Sequence, residues 1–286
     1  MNVKHIFNEI EKVDPEVYDR LDTRRNAMKQ FTGIAGKLAL AAVPMAFGGM
    51  FKKAYGQSTD GILGILNYAL TLEYLEAKFY SMGNAAITAG TLMVPNDAAK
   101  MALQNIGSHE TAHVNFLKKA ITDSGGTPVT EPVFDFTAGG AFANVFTNYP
   151  LFLAVAQTFE DTGVRAYKGQ AADPALMANN DVLTAALNIH SVEARHASHV
   201  RQMRKANGGL VPAGVNVKTW ITGKQSGIGS PAVQASYDGE ELTTQATINI
   251  VNINGMMISA DAASEAFDEP LTKAQVLAIV DPFIVG

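Results

Sequence analysis

The sequence predicts an all-α fold: an antiparallel four-helix bundle with one long crossover, followed by an irregular C-terminal extension. Three observations carry this expectation. Segments with helical apolar spacing fill residues 58–208, capping and breaking residues mark their ends, and the three links between them run short, long, short. The composition is that of an ordinary globular chain: 286 residues, 47% hydrophobic, 17% charged, net charge −5. Nothing in it is strongly basic, which argues against a nucleic-acid partner. Cysteine is absent, so disulfides, thiolate nucleophiles and cysteine metal ligands are excluded.

Residues 1–57 read as a targeting segment and linker. A polar stretch ends in Thr23-Arg24-Arg25-Asn26-Ala27-Met28-Lys29, and an apolar run over 31–50, interrupted by Lys37, precedes Ala54-Tyr55-Gly56. This resembles a twin-arginine export signal, although Ala27 and Met28 stand where a Phe-Leu pair is more usual. The resemblance implies a periplasmic or extracellular protein that touches the membrane only through this segment. An amphipathic helix and a retained membrane anchor are the competing readings. Gly33, Gly36, Gly48, Gly49 and Pro44 count against the first, Lys37 and Pro44 against the second.

The bundle is assigned to 58–208. Ser58, Thr59 and Asp60 are cap residues for a first helix reaching about Gly83 or Ala89. Pro95 suits the first turn of a second helix, which ends at Asp123-Ser124-Gly125-Gly126. Residues 124–148 are loop-like, with Pro128, Pro132, Gly139 and Gly140. A third helix starts near Asn148 and Pro150 and stops at Asp173-Pro174; a fourth starts near Asn180 and Asp181 and ends at Asn207-Gly208-Gly209. Short links make antiparallel neighbours, whereas the middle link, about 25 residues, is far longer than the usual few. In the extension, 209–286, residues 244–253 alternate weakly ahead of Asn254-Gly255, a hairpin signal. Thr272 and Gln275 form a capping box for a final short helix over 271–280.

The chemistry lies in two Glu-x-x-His motifs, Glu110 with His113 and Glu193 with His196. Positions i and i+3 share a helix face, so one metal ion could take both side chains. With six histidines in the whole chain, about 0.3 such motifs would arise by chance, so two is an excess. The other two helices each carry a glutamate followed seven residues later by a tyrosine: Glu73 with Tyr80, and Glu160 with Tyr167. The chain thus reads as a duplicated helical hairpin. All four glutamates fall near mid-helix, where neighbours of opposite direction can meet. They also fall on the apolar stripe, as in Leu66, Ala69, Glu73, Glu76, Tyr80 and in Ala186, Ile189, Glu193, His196, Val200. Buried carboxylates without counter-charge are strongly unfavourable, which is a physical reason to expect cations among them. Glu76 lies on the same stripe and is the alternative ligand to Glu73.

One Glu from each of two helices and one Glu-x-x-His from each of the other two is the pattern of di-iron and di-manganese carboxylate bundles. Residues 58–208 resemble that ferritin-like superfamily. More narrowly, Leu72-Glu73-Tyr74-Leu75-Glu76-Ala77, Ser108-His109-Glu110 and Phe267-Asp268-Glu269-Pro270-Leu271-Thr272 are similar to the exported ferritin-like branch that includes desiccation-related proteins. The resemblance implies metal ligands at Glu73, Glu110, His113, Glu160, Glu193 and His196, with Glu110 and Glu193 bridging. It places Tyr80 and Tyr167 just outside the ligands, to orient a carboxylate or to be oxidised. Two divalent ions are the expected cofactors, iron first, manganese next, then zinc. No catalytic residue is assigned beyond the metal site.

Two functions are then open. One is a redox enzyme acting on Fe(II), oxygen or peroxide; the other is a non-catalytic stress protein that uses the bundle structurally or for interactions. A storage cage fits poorly with a long extension and an export signal. His109, His190 and His199 read as partly exposed or supporting residues, the scattered methionines as core, and residues 226–230 as a flexible arm without a phosphate-loop context.

Overall fold

The computed structural model describes residues 61–207, 211–212 and 214–285, which all belong to one compact unit, Lys52–Gly286. The expected export signal and the caps Ser58, Thr59 and Asp60 lie outside the described residues. Helix α1 runs Ile62–Thr88 behind Gly61, which makes no side-chain cap bond. Helix α2 runs Asp97–Asp123, and its cap is Asn96, whose side chain accepts from the Ala99 N–H. Pro95 therefore stands just before the cap rather than in the first turn. Gly125, at φ 78°, ends α2 in the left-handed region that glycine adopts without strain.

The crossover to the third helix holds a two-residue strand β1 (Val133–Phe134), where the sequence suggested only loop. Helix α3, Tyr149–Gln170, is capped by Asn148 with Pro150 in its first turn. Asp173-Pro174 does more than stop it. The Asp173 carboxylate caps a one-turn helix α4 (Pro174–Met177) before α5, Asn180–Asn207. The four long helices form the all-α bundle, and among the described residues no helix is long and apolar enough to cross a membrane.

The extension is mostly irregular. Its hairpin pairs β2 (Thr244–Gln245) with β3 (Ile248–Asn249) around Ala246 and Thr247, both at positive φ. Asn254-Gly255 lies instead in a single 3₁₀ turn, Ile253–Gly255. A short helix α6 (Ala260–Ser264) follows. Helix α7, Lys273–Val280, then has Thr272 and Gln275 in a capping box, as the sequence suggested. The last strand, β4 (Ile284–Val285), pairs antiparallel with β1, so the chain end is tied to the crossover.

The extension docks on α3. Arg165, 1% exposed, meets Glu240 at 2.7 Å and donates to the carbonyls of Ser236 at 2.6 Å and Asp238 at 2.9 Å. Beside it Asp161 accepts from Arg201 and from the Tyr237 hydroxyl at 2.7 Å. A Cβ on Gly169 would lie 1.9 Å from the Leu271 carbonyl, so only glycine lets the extension pass that close. Two apolar clusters make the core. One is rich in phenylalanine, with Phe79 stacked on Phe152 at 4.6 Å, and the other gathers Leu70, Leu117 and Ile121. On α2, α3 and α5 the buried glutamates Glu110, Glu160 and Glu193 fall between residues of the two clusters.

Candidate metal centre

Each long helix contributes one glutamate to a buried cluster. Glu73, Glu110, Glu160 and Glu193 are all fully buried, and His196 nearly so. Two groups of donors form. Glu73, Glu110, His113 and Glu193 converge in one; Glu110, Glu160, Glu193 and His196 converge in the other. Glu110 and Glu193 belong to both, which is the arrangement two ions sharing bridging carboxylates require. The two groups repeat the duplicated hairpin of the sequence.

The distances would suit ligands around an ion. His113 Nδ1 lies 3.1 Å from Glu73 Oε2, 3.0 Å from Glu110 Oε2 and 3.1 Å from Glu193 Oε1. One imidazole nitrogen carries at most one proton, so it cannot satisfy three carboxylates. Neighbouring donors around a small divalent cation, each about 2.1 Å from it in octahedral geometry, are separated by about 3.0 Å. His196 Nδ1 lies 2.7 Å from Glu110 Oε1 and 3.3 Å from Glu160 Oε2, yet it is aligned for a hydrogen bond to neither. Glu110 Oε1, Glu160 Oε2 and both Glu193 oxygens are likewise buried without hydrogen-bond partners. Orphaned acceptors of this kind are rare in folded proteins and want an explanation. The donor set is hard oxygen and imidazole, and divalent cations fit it.

The protonation of the cluster points the same way. Burial raises Glu193 well above the usual carboxylate range, helped by Glu110 and Glu76, and it raises Glu73 to about 7 against the pull of His113. Burial also pushes Glu110 up, but the adjoining His113 and His196 rings outweigh it and hold the group at about 2. Burial would lower both histidines; the surrounding carboxylates override it and lift each to about 10. Without cations, protons must supply the missing positive charge.

Tyr80 and Tyr167 bond carboxylates, but crosswise. The Tyr80 hydroxyl donates to Glu160 Oε1 at 2.5 Å, and the Tyr167 hydroxyl donates to Glu73 Oε1 at 2.5 Å. Seven residues along a helix is about 10 Å, beyond the reach of a tyrosine to its own glutamate. Stepping seven forward on α1 matches stepping seven back on α3, which is the register of antiparallel helices. Burial leaves both phenols well above their ordinary pKa, so they act as donors.

Glu76 is buried but lies outside both donor groups, although it approaches Gly163 from the same face as Glu193. A Cβ on Gly163 would sit 3.2 Å from Glu76 Oε1 and 3.6 Å from Glu193 Oε2. Burial, reinforced by Glu160 and Glu110, lifts Glu76 well above the carboxylate range. His190 Nδ1 faces the Val164 carbonyl at 3.0 Å, and His199 is exposed; neither reaches the cluster. His109 does, which its position in the sequence did not reveal. Its Nδ1 lies 3.0 Å from His196 Nε2, and the rings stack at 5.3 Å.

No characterised protein and no solved structure matched the chain. A family model, the ferritin-like domain, matches residues 61–206, the span that contains all four long helices up to the end of α5 and every residue of both donor groups. That match covers half of the chain, and with the bundle and its buried glutamate and histidine cluster it identifies the chain as a member of the ferritin-like domain family.

Proposed function

We propose that the protein binds two divalent metal ions, iron or manganese, and acts as an oxidoreductase on Fe(II), oxygen or peroxide. The observation that carries this is the set of orphaned buried atoms on Glu110, Glu160, Glu193 and His196, which face one another without hydrogen bonds. In this reading Glu73 and Glu160 are terminal ligands, Glu110 and Glu193 bridge, and His113 and His196 each bind one ion. The metal pair would supply a redox couple and a coordination position for the oxidant. The chain supplies orientation. Tyr167 fixes Glu73 and Tyr80 fixes Glu160, each through one carboxylate oxygen, leaving the other oxygen toward the cluster. The apolar clusters on either side keep bulk water from competing for the ligands.

We further propose that the twin-arginine-like segment exports the folded protein. The support is the Arg24-Arg25 pair and the apolar run beyond it. A non-catalytic stress role remains the second reading, supported by the similarity of residues 72–77 and 267–272 to desiccation-related proteins.

Elemental analysis of the full chain tests the site. About two ions per chain are expected in the wild type and almost none in a Glu110→Ala, Glu193→Ala double variant. An absence of metal after anaerobic reconstitution with Fe(II) or Mn(II) would overturn the reading. Metal-loaded protein that neither consumes oxygen with Fe(II) nor removes peroxide would leave the structural role.

A further inference from the structure

At one end of the bundle the four long helices and α4 surround a cavity of about 270 Å³. It exists because the facing positions are small: Ala69, Ala120, Ala166, Ala185 and Ala186 leave space that larger side chains would fill. Its walls are almost wholly apolar. An apolar cavity of about 150 Å³ already stays dry and takes up benzene, so this one has room for a larger hydrocarbon. The cavity opens to solvent, and an occupant that covers its apolar walls would stabilise the fold.

Polar interruptions of the lining are few. Tyr68 contributes only its ring, because protein atoms cover its hydroxyl. Gln170 also lines the cavity, is 8% exposed, and its side-chain amide makes no hydrogen bond among the described residues. The lining contains no lysine or arginine, and its one carboxylate, Asp181, is exposed. A carboxylate or phosphate would enter without a counter-charge, which is unfavourable.

We infer that this cavity is a binding site for an uncharged lipophilic molecule: a hydrocarbon body that fills the alanine-lined space and a single hydroxyl or carbonyl that bonds the Gln170 amide. The site adjoins the glutamate and histidine cluster without depending on it. Tyr167 forms part of the wall, and its hydroxyl is the one that holds Glu73. An occupant therefore packs against the residue that positions one of the cluster's carboxylates.

Calorimetric titration of the full chain with 1-octanol tests this, on metal-free and metal-loaded protein alike, with octanoate as the charged comparator. Saturable 1-octanol binding in both forms is expected, with octanoate at least ten-fold weaker. Ala186→Phe is expected to abolish binding. Ala120→Leu, a gentler filling of the same space, should weaken it in a variant whose circular dichroism matches the wild type. Gln170→Leu should weaken 1-octanol about five-fold and leave octane unchanged, as loss of one hydrogen bond requires. No saturable binding up to the solubility limit, octanoate binding as tightly as 1-octanol, or binding that survives both filling variants would overturn the inference. Because the metal-free protein is titrated too, that failure is distinct from a failure of the metal reading.

Discussion

His109 shows what a duplicated sequence can hide. The hairpin repeat pairs Glu110 with Glu193, so the residue equivalent to His109 is Val192, and no pattern marks His109 as part of the site. Its own exposure also argues against a ligand, yet its ring faces the far nitrogen of His196 at 3.0 Å. A partner on that nitrogen fixes the tautomer and the ring orientation of a histidine whose other nitrogen faces the cluster. No described residue plays this part for His113, whose contacts are all through Nδ1. His109→Ala should therefore weaken one of two metal-binding events about 10–100-fold and spare the other. Competition titration with a chromophoric chelator would read this as a split between two steps. Equal weakening of both steps, or of neither, would count against the role. The remaining residues of the cluster were legible because Glu-x-x-His places two side chains on one helix face. The crosswise tyrosine bonds were not legible, since the seven-residue spacing shows a shared face but not which helix lies opposite.

Among the elements, the long helices were readable from their caps and stripes, and the extension was not. Asn96, Asn148 and Thr272 each cap a helix through a side-chain oxygen, a local interaction written into the sequence. The pairing of β1 with β4 joins residues about 150 positions apart, and two-residue strands carry no periodic signal. The hairpin moved from Asn254-Gly255 to Ala246-Thr247 for a related reason. Ala246 and Thr247, without a strong turn preference, stand at positive φ in the hairpin, where the sequence offered Asn254-Gly255 as the better turn. What anchors the extension is long-range: Arg165 buried against Glu240, and the Leu271 backbone lying on Gly169. Gly169→Ala would drive a methyl group into the Leu271 carbonyl, and the rigid helix backbone cannot yield by the distance needed. We expect a loss of about 1–3 kcal/mol in chemical denaturation. Limited proteolysis should then cut residues 240–280 before the bundle. Arg165→Ala should cost more, about 3–5 kcal/mol, because it removes the buried donor shared by Glu240 and the Ser236 and Asp238 carbonyls. A Gly169→Ala protein with wild-type stability and cleavage would show that the extension is not held there.

For the whole molecule, the buried acidic cluster ties stability to pH, and the direction depends on metal. A group whose folded pKa lies above its unfolded value contributes fully below the unfolded value and loses that contribution as pH rises through the folded one. Glu73 at about 7 and Glu240 at about 8 both belong to this class, from an ordinary value of 4.5. So do His113 and His196, raised from 6.5 to about 10. Glu110, at about 2, acts in the opposite sense: its contribution is present above 4.5 and disappears as pH falls toward 2. Metal-free protein should therefore be most stable near pH 4.5–5 and weaken steadily toward pH 8. Glu73 alone would account for a loss on the order of 3 kcal/mol between pH 4.5 and 7. Metal reverses the slope. The same carboxylates and imidazoles must shed their protons to serve as ligands, so the stabilisation that bound ions provide grows as pH rises. Melting curves of chelator-treated and Mn(II)-reconstituted protein at pH 5, 6, 7 and 8 should start close together and diverge by many degrees. The metal-free midpoint should fall across that range while the loaded one holds or climbs. A metal-free midpoint that rises from pH 5 to 8 would mean that the carboxylates are already charged and compensated without cations, and the physical case for a metal centre in this bundle would lose its basis.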